Sequence, residues 1–271
     1  MWELERDLPD HAAPDADSGA MPPLAVIGPG RAGRSIAMAA RRAGWPVELA
    51  GRDRALEVSR RAEIALLCVP DAAIAEACAA IVAGAPPLRF FGHSSGATAL
   101  EVLAPALERG ADAFSLHPLQ TIPDGDAELT GAPCAVAGSS PAASDLAARL
   151  AATLGMRPFE VPEESRAAYH AAASIASNLL VALQESAVEL LHRAGIERGR
   201  ELLAPLVLRT AANWAERGSD ALTGPIARGD ADTVERHRTA LRELAPELLP
   251  LYAALAERAG ELAANRAEAP A

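Results

Sequence analysis

The stretch PLAVIGPGRAG, residues 23–33, decides the fold, because it joins a short apolar run to three glycines and then to a helical pattern. Gly28, Gly30 and Gly33 have the GxGxxG spacing, directly after a predicted strand and at the start of a predicted helix. In that setting the first glycine turns the chain, the second lets a ligand approach the backbone, and the third allows close helix packing. The stretch therefore predicts a phosphate-binding turn, with a purely structural glycine turn as the alternative.

Further apolar runs follow this turn and are separated by helical stretches. They are PVELAG (46–51), IALLCVP (64–70), LRFFGHSS (88–95), ADAFSLHP (111–118) and APCAVAG (132–138). Short apolar runs that alternate with helices are typical of parallel strands with crossover connections. We therefore expect an α/β fold with an N-terminal Rossmann-type doubly wound parallel sheet.

The second part of the chain carries helical patterns only. Strand signals stop near residue 161, and helices are predicted over about 163–194, 197–217, 231–244 and 247–265. We predict four segments, namely a disordered acidic tail (1–21), a Rossmann-type domain (22–161), a helical domain (162–265) and a short tail (266–271). The charge-free run 167–184 is long enough for a membrane span, but its polar side chains favour a soluble helix buried on most sides.

Composition and charge exclude several classes of protein. The formal net charge of -11 argues against a nucleic-acid partner, because phosphate backbones need a basic surface. All 25 residues counted as lysine or arginine are arginines, so no lysine is present for Schiff-base chemistry. The three cysteines show no CxxC spacing and fit buried thiols in a reducing compartment, which predicts a cytoplasmic protein. No metal-ligand cluster and no membrane segment are expected.

The end of the second predicted strand bears on the choice of cofactor. Ala50 is followed by Gly51 and Arg52, and a small residue before an arginine leaves room and charge for a 2'-phosphate. We therefore predict NADP rather than NAD, although Arg52 is alternatively a solvated loop residue with Asp53 as the ribose ligand. The predicted cofactor-binding residues are Gly28, Pro29, Gly30, Arg31, Ala32, Gly33, Arg52, Val69, Pro70 and Ser94.

Polar side chains follow the later strands, where ligands bind in a doubly wound sheet. Ser94 and Ser95 stand at the end of the fourth run, and His117 stands before Pro118 at the end of the fifth. A residue before proline is held in extended geometry, so the imidazole has a fixed origin and could move a proton while hydride is transferred. The alternatives are a neutral histidine satisfied by hydrogen bonds and an ordinary serine-rich turn.

The long predicted helix carries a polar stripe. His170, Ser174 and Asn178 lie four residues apart on one helical face, with Tyr169 beside them. Buried polar groups need partners, so they either bond to neighbouring helices or line a cleft that faces the cofactor domain. We predict a catalytic set of His117, Ser95 and Asn178, with the nicotinamide ring expected in a crevice between the two domains.

The motifs GPGRAG, CVPD, HSSGA, SLHPLQT, YHAAASIASNLL and LTGPIARGD together resemble a bacterial family of Rossmann-like proteins with a C-terminal domain of unknown function, number 2520. The resemblance spans about residues 24–263 and implies an NADP-dependent oxidoreductase. Its architecture is similar to that of 6-phosphogluconate dehydrogenase, pyrroline-5-carboxylate reductase, ketopantoate reductase and prephenate dehydrogenase. The resemblance therefore implies an all-α 6-phosphogluconate dehydrogenase C-terminal-like domain and a homodimer that interlocks through it.

Within this wider group the resemblance also bears on the site. Ser95 and the run His117–Leu119 look like the serine and the HPM motif of prephenate dehydrogenases. Hydroxyacid dehydrogenases carry a lysine and, four residues later, an asparagine on the long helix, whereas this chain has Ser174 and Asn178. A mechanism copied from those enzymes would lack its lysine, which favours His117 as the proton carrier.

Two hypotheses follow. The first is an enzyme that transfers hydride between NADPH and a C=O or C=N bond of a small, carboxylate-bearing metabolite. The second is an NADP(H)-binding sensor or partner protein without turnover, which the absence of lysine keeps open.

Overall fold

The structure, a computed structural model, describes residues 21–268. Most of the predicted N-terminal tail and residues 269–271 lie outside the described residues. Residues 266–268 continue the last helix, so the predicted C-terminal tail starts too early. Contacts divide the chain into two compact units, and the division falls between Ala173 and Ser174, later than the predicted domain boundary at residue 161.

The first unit contains a seven-stranded sheet in the order β2-β1-β3-β4-β5-β6-β7. Its strands are β1 (Leu24–Ile27), β2 (Val47–Ala50), β3 (Ile64–Leu67), β4 (Phe90–His93), β5 (Asp112–Pro118), β6 (Pro133–Gly138) and β7 (Arg157–Glu160). The pairs among β1 to β5 are parallel, as predicted. All of these strands begin or end within a few residues of the apolar runs that predicted them, except β7, which no run predicted.

The last two strands correct the prediction of a fully parallel sheet. β6 runs antiparallel to β5, and β7 runs parallel to β6. Parallel neighbours need a crossover, usually a helix, and the connection over residues 119–132 contains none. β7 escaped prediction because it is an edge strand with Pro158 and mostly exposed side chains rather than an apolar run.

Helices cover both faces of this sheet, which is why the apolar runs are continuous rather than alternating. The helices are α1 (Arg31–Arg42), α2 (Arg52–Ser59), α3 (Ile74–Gly84), α4 (Ala104–Leu107) and α5 (Pro141–Thr153). Leu24 and Val26 belong to one buried cluster, with residues of α1 and α5. Ala25 and Ile27 point to the other face and belong to a second cluster, with residues of α2 and α3. The sheet is therefore doubly wound, as predicted.

The remaining helices are α6 (Arg166–Ala176), α7 (Asn178–Arg193), α8 (Gly199–Arg217), α9 (Ala231–Leu244) and α10 (Leu249–Glu268). α6 begins in the first unit and crosses the division, and the others belong to the second unit. The prediction of one uninterrupted helix over 163–194 is wrong. Ser177 has φ -125 and ψ -83, and its N–H bonds to the carbonyl of Ser174 at 3.3 Å, an i−3 rather than an i−4 partner. Asn178 therefore starts a new helix, and the predicted polar stripe is interrupted.

The second unit leaves large apolar side chains exposed. By length and composition alone, the segment Glu163–Arg193 is apolar enough to cross a membrane. The prediction that the run 167–184 is buried on most sides is wrong, because none of its residues is buried within this chain. The most exposed large apolar side chains on α6, α7 and α8 are Ile175, Val181, Leu206, Leu208 and Trp214, each more than 60% exposed.

Candidate functional site

The glycine turn after β1 is shaped by packing at two of its glycines and by open space at the third. A Cβ at Gly28, whose φ is +115, would lie 2.2 Å from the carbonyl oxygen of Cys68. A Cβ at Gly33 would lie 2.0 Å from the carbonyl oxygen of Gly28. A Cβ at Gly30 would meet nothing within 4 Å. The first and third glycines thus allow close contact between β1, β3 and α1, and Gly30 leaves space beside the helix N-terminus.

The N-terminus of α1 is suited to an anion. Gly30 caps the helix without a side-chain hydrogen bond, and the first turn contains no acidic residue. The first N–H groups of a helix have no intrahelical acceptor and carry a partial positive charge, so they attract phosphate. Pro29 packs against Gly51 at 3.7 Å, measured to a Cβ built on that glycine, which brings the turn next to the end of β2. These residues fit the pyrophosphate of a dinucleotide.

Arg52 is the first residue of α2, directly after Gly51. Its guanidinium lies 3.7 Å from the carboxylate of Glu76, and both side chains are largely exposed. An exposed ion pair of this length contributes little to stability, so the guanidinium is available to a phosphate. Asp53 lies in the same first helical turn. The choice between Arg52 and Asp53 as the ribose-side ligand therefore stays a prediction.

The ends of β3 and β4 adjoin the glycine turn. The side chain of Val69 lies 3.2 Å from a Cβ built at Gly28. Pro70 caps a short 3-10 turn, and the N–H of Ser94 donates to the carbonyl of Leu67 at 2.9 Å. The predicted cofactor-binding residues from β1, β3 and β4 thus lie at the carboxyl-end edge of neighbouring parallel strands.

Ser95 uses its hydroxyl within its own turn. Its Oγ donates to Oγ1 of Thr98 at 2.9 Å and accepts from the N–H groups of Ala97 at 3.2 Å and Thr98 at 3.0 Å. A hydroxyl has one donor and two acceptor positions, so these bonds saturate it. The role of Ser95 as a substrate ligand stays a prediction, and it would require this hydroxyl to leave its turn.

His117 is clamped at the end of β5. Its Nδ1 lies 2.8 Å from the hydroxyl oxygen of Tyr169. The ring stands edge-on to the ring of Tyr169, with centroids 5.6 Å apart, and to the ring of His170 at 6.0 Å. A Cβ at Gly96 would come within 2.7 to 2.9 Å of three ring atoms, so the imidazole lies directly on that glycine.

The register of the last three strands explains why Tyr169 fits there. His117 pairs with Ala135, and Ala135 pairs with Phe159. Residues paired across neighbouring strands share one face of the sheet, so the small Ala135 lies between two rings. The ring of Tyr169 contacts both, with its centroid 6.0 Å from that of Phe159. The unpredicted strand β7 thus supplies the second ring against which Tyr169 packs.

Both members of this pair are neutral near pH 7. Burial, together with the neighbouring His170 and Arg166, lowers the pKa of His117 to about 4. Burial raises the pKa of Tyr169 to about 12, with Cys134 as the second cause. A neutral imidazole has one N–H and one bare nitrogen. Since Nδ1 bonds to the phenol, Nε2 is the ring nitrogen left for a ligand.

A buried arginine that pairs with a more exposed glutamate fixes the start of α6 over β5. Arg166, which is 3% exposed, bonds through Nε to Glu163 at 2.6 Å and donates from Nη2 to the hydroxyl of Ser115 at 2.5 Å. Glu163 in turn accepts from the N–H of Leu100 at 3.0 Å. These bonds hold the helix that carries Tyr169 against the strand that carries His117.

In the sequence, Tyr169 stands out only as a neighbour of the polar stripe, and neither Gly96 nor Arg166 is predicted as a site residue. The signal for Gly96 is its place two residues after Ser94, but the contact of Tyr169 with His117 spans 52 positions of sequence and depends on β7. Asn178 is exposed and lies in the second unit, so its predicted role in the site stays a prediction. Across residues 21–268, no group of three potential ligand side chains could hold a metal ion.

Solved structures resemble the whole fold at low identity. A proposed NADP oxidoreductase from Bacteroides fragilis is 22% identical with a TM-score of 0.73, over 89% of this chain and 99% of its own. The protein TM1727 from Thermotoga maritima is 22% identical with a TM-score of 0.72, over 90% and 100%. A reductive aminase from Aspergillus terreus, solved with NADPH and ethyl-5-oxohexanoate, is 19% identical with a TM-score of 0.64, over 88% and 93%. Such identities establish the fold alone.

Family models identify both parts of the chain. Residues 50–118 match the model described as a Rossmann-like domain. Residues 132–259 match the domain of unknown function DUF2520. Among curated proteins, none matches the chain in sequence. The two models agree with the family that the motifs predicted, and the chain belongs to the Rossmann-like proteins that carry a C-terminal DUF2520 domain.

Proposed function

We propose that this protein is an NADPH-dependent oxidoreductase that reduces a C=O or C=N bond of a small, carboxylate-bearing metabolite. One observation carries the proposal. The glycine turn, with open space at Gly30, and the clamped imidazole of His117 lie at the carboxyl-end edge of the same parallel strands. Ligands of open α/β sheets bind at this edge.

The cofactor would be held by residues of the first unit. The turn from Gly28 to Gly33 and the N-terminus of α1 would bind the pyrophosphate, and Arg52 the 2'-phosphate. Val69, Pro70 and Ser94 would border the nicotinamide. The NADPH bound to the Aspergillus terreus reductive aminase supports this choice. An imine reductase from Myxococcus stipitatus, solved with NAD+, keeps NAD as the alternative.

His117 would supply the proton. Reduction of a C=O or C=N bond needs a hydride at carbon, which the bound reduced nicotinamide supplies as it is oxidised, and a proton at oxygen or nitrogen. Nε2 of His117 is free of the bond to Tyr169 and would face that oxygen or nitrogen. Ser95 and Asn178 are the predicted residues that orient the substrate. Because the imidazole is neutral, loss of its Nε2 proton would have to be balanced by uptake of a proton at Nδ1.

The chemistry is tested by His117→Asn, with NADPH oxidation followed by absorbance on a panel of 2-oxo acids, ketopantoate and cyclic imines. General acid catalysis contributes about a hundredfold or more, so turnover should fall by at least roughly that factor while NADPH affinity stays nearly unchanged. Unchanged turnover in the variant would exclude the proton-carrier role. Tight NADPH binding without turnover of any panel substrate by the wild type would favour the sensor hypothesis.

The cofactor site is tested by Gly30→Ala. A Cβ there meets no protein atom within 4 Å, and φ is -71, so the fold should tolerate it. The added methyl would occupy the space assigned to the pyrophosphate, and NADPH should bind at least about tenfold more weakly. Gly260→Ala is the matched control, since its Cβ also meets nothing, in the second unit. Equal NADPH affinity in both variants would contradict the assignment.

We also propose that the protein is a cytoplasmic homodimer that pairs through its helical unit. The exposed apolar side chains of α6, α7 and α8 support this proposal, because monomers rarely expose large apolar patches. The free thiols Cys68, Cys78 and Cys134 support a reducing compartment. Sedimentation should give a dimer, and Leu206→Arg should yield a monomer. A wild-type monomer at micromolar concentration would contradict the proposal.

A further inference from the structure

We propose that Tyr169 is a positioning residue for His117, whose phenol donates a hydrogen bond to Nδ1 and thereby fixes the imidazole in the tautomer that carries its proton on Nε2. The inference rests on the proposed function, in which His117 gives a proton to the substrate. It deepens that function by naming Nε2 as the nitrogen that gives the proton and the Tyr169 phenol as the group that supplies the ring with a new one.

The direction of the bond follows from the chemistry of the two groups. The 2.8 Å distance between Nδ1 and the hydroxyl oxygen allows either group to donate. A phenol is a stronger acid than a neutral imidazole N–H, and an imidazole nitrogen is a stronger base than a phenol oxygen. The phenol is therefore the better donor. Since the hydrogen bond at one ring nitrogen determines which nitrogen is protonated, the ring proton lies on Nε2.

The surroundings hold the ring in this arrangement. Gly96 lies under the imidazole, and a methyl group there would collide with Cε1, Nε2 and Nδ1. Tyr169 itself is held by its ring contact with Phe159. Arg166, one turn earlier on α6, is anchored to Ser115 of β5. The phenol therefore cannot move away from Nδ1 without breaking contacts on two sides.

The pair also balances the proton transfer. When Nε2 gives its proton to the substrate oxygen or nitrogen, Nδ1 takes the phenol proton, and the ring stays neutral. The phenol oxygen is left as a phenolate that accepts the bond from Nδ1 and regains a proton from water. This route avoids an imidazolium. Burial disfavours that charged form of the ring, and the pKa of His117 is accordingly lowered to about 4. The route also avoids an imidazolate, because a phenol is the stronger acid.

The experiment is nitrogen-15 NMR of protein labelled at histidine, combined with kinetics of Tyr169→Phe. The resonances of His117 are assigned by their loss in His117→Asn. The wild type should carry the ring proton on Nε2. Tyr169→Phe should shift the population toward the Nδ1 proton and should lower kcat by about tenfold, with KM and NADPH affinity little changed.

Tyr252→Phe is the matched control, because Tyr252 bonds to Nδ1 of His237 at 2.9 Å in the second unit. It removes the same hydroxyl from the same kind of pair. It should alter the NMR signals of His237, leave those of His117 unchanged and leave turnover unchanged.

The outcomes separate the inference from the proposed function. A wild-type His117 protonated on Nδ1, or a tautomer that Tyr169→Phe leaves unchanged, overturns the inference. The wild-type spectrum decides this even if the variant does not fold. A proton on Nε2 in a wild type that reduces no substrate supports the positioning role while the proposed function fails.

Discussion

Each of the two tyrosines of this chain bonds to Nδ1 of a histidine, one pair in each compact unit. The hydroxyl oxygen of Tyr169 lies 2.8 Å from Nδ1 of His117, and the two rings are at 90°. The hydroxyl oxygen of Tyr252 lies 2.9 Å from Nδ1 of His237, and those rings are at 87°. The local bond is the same, but the surroundings differ. The first pair is partly buried against Gly96, whereas the second lies on an exposed surface. The bond itself therefore does not distinguish the two histidines, whereas their surroundings do.

The same contrast extends to the two units. The first unit buries polar side chains, including His93, Ser115 and Arg166, among close-packed strands and helices. The second unit exposes apolar ones, such as Leu208 and Trp214. Buried polar groups are expensive unless they have partners, and exposed apolar surface is retained where another surface covers it. The contrast agrees with the proposals that the first unit carries the chemistry and that the second unit pairs with another copy of the chain.

The largest expected effect is acid sensitivity of the first unit. Burial lowers the pKa of His93 and of His117 to about 4, with Arg166 among the further causes for both. At His93, Glu163 and Asp71 act in the opposite direction and raise the pKa. At His117, Asp71 raises the pKa and His170 lowers it. As the pH falls, the histidines of the unfolded chain take up protons before those of the folded chain. The free energy of unfolding is therefore at its full value above about pH 6.5 and decreases as the pH falls to about 4, by roughly 3 kcal/mol for each histidine.

This effect is measured as the free energy of unfolding in denaturant at several pH values. His117→Asn should remove about half of the loss that the two histidines cause. If the free energy of unfolding changed with pH in the same way in the wild type and in His117→Asn, His117 would not be a cause of the acid sensitivity.

A second prediction compares two arginine pairs. Arg166→Leu should lower the free energy of unfolding by about 2 to 3 kcal/mol, because it removes a buried hydrogen bond to Ser115 and leaves Glu163 unpaired. Arg242→Leu removes an exposed pair with Glu235 and should cost no more than about 1 kcal/mol. Chemical denaturation measures both variants. Equal losses would mean that burial of Arg166 has no energetic consequence.

A third prediction compares substitutions at two glycines, which should change the stability of the protein in opposite directions. Gly96→Ala places a methyl 2.7 Å from the ring of His117 and should destabilise the protein by about 1 to 3 kcal/mol. Gly260→Ala, in α10, meets no atom within 4 Å and should stabilise it by about 0.5 to 1 kcal/mol. Thermal denaturation measures both. A stabilising Gly96→Ala would show that the imidazole does not lie on this glycine.

Local patterns predicted most of the first unit. The GxGxxG spacing and the runs that became β1 to β6 are short-range features, since each needs only a few neighbouring residues. The direction of β6 was mispredicted because strand direction depends on the connection, and residues 119–132 lack the helix that a parallel crossover needs. The break at Ser177 was missed because an alanine-rich sequence with scattered serines gives no strong stop signal.

The site was predicted in part for a related reason. His117 was identified from its place before a proline at a strand end, which is local. Its bond to Tyr169 depends on the register of β5, β6 and β7 and on the anchoring of α6 by Arg166. Such long-range pairings leave no periodic trace in a single sequence. The exposure of apolar side chains in the second unit could not be predicted from the sequence either. An apolar helix has the same sequence pattern whether its own chain or another chain covers it.

The placement of the tyrosines has a practical consequence. Tyr169 and Tyr252 are the two tyrosines of the chain, and they lie on opposite sides of the division at Ala173. Protein grown with fluorinated tyrosine should therefore give two fluorine resonances, one reporting on each unit. A single titration with NADPH or acid would then reveal whether both units respond together or one at a time, without any further label.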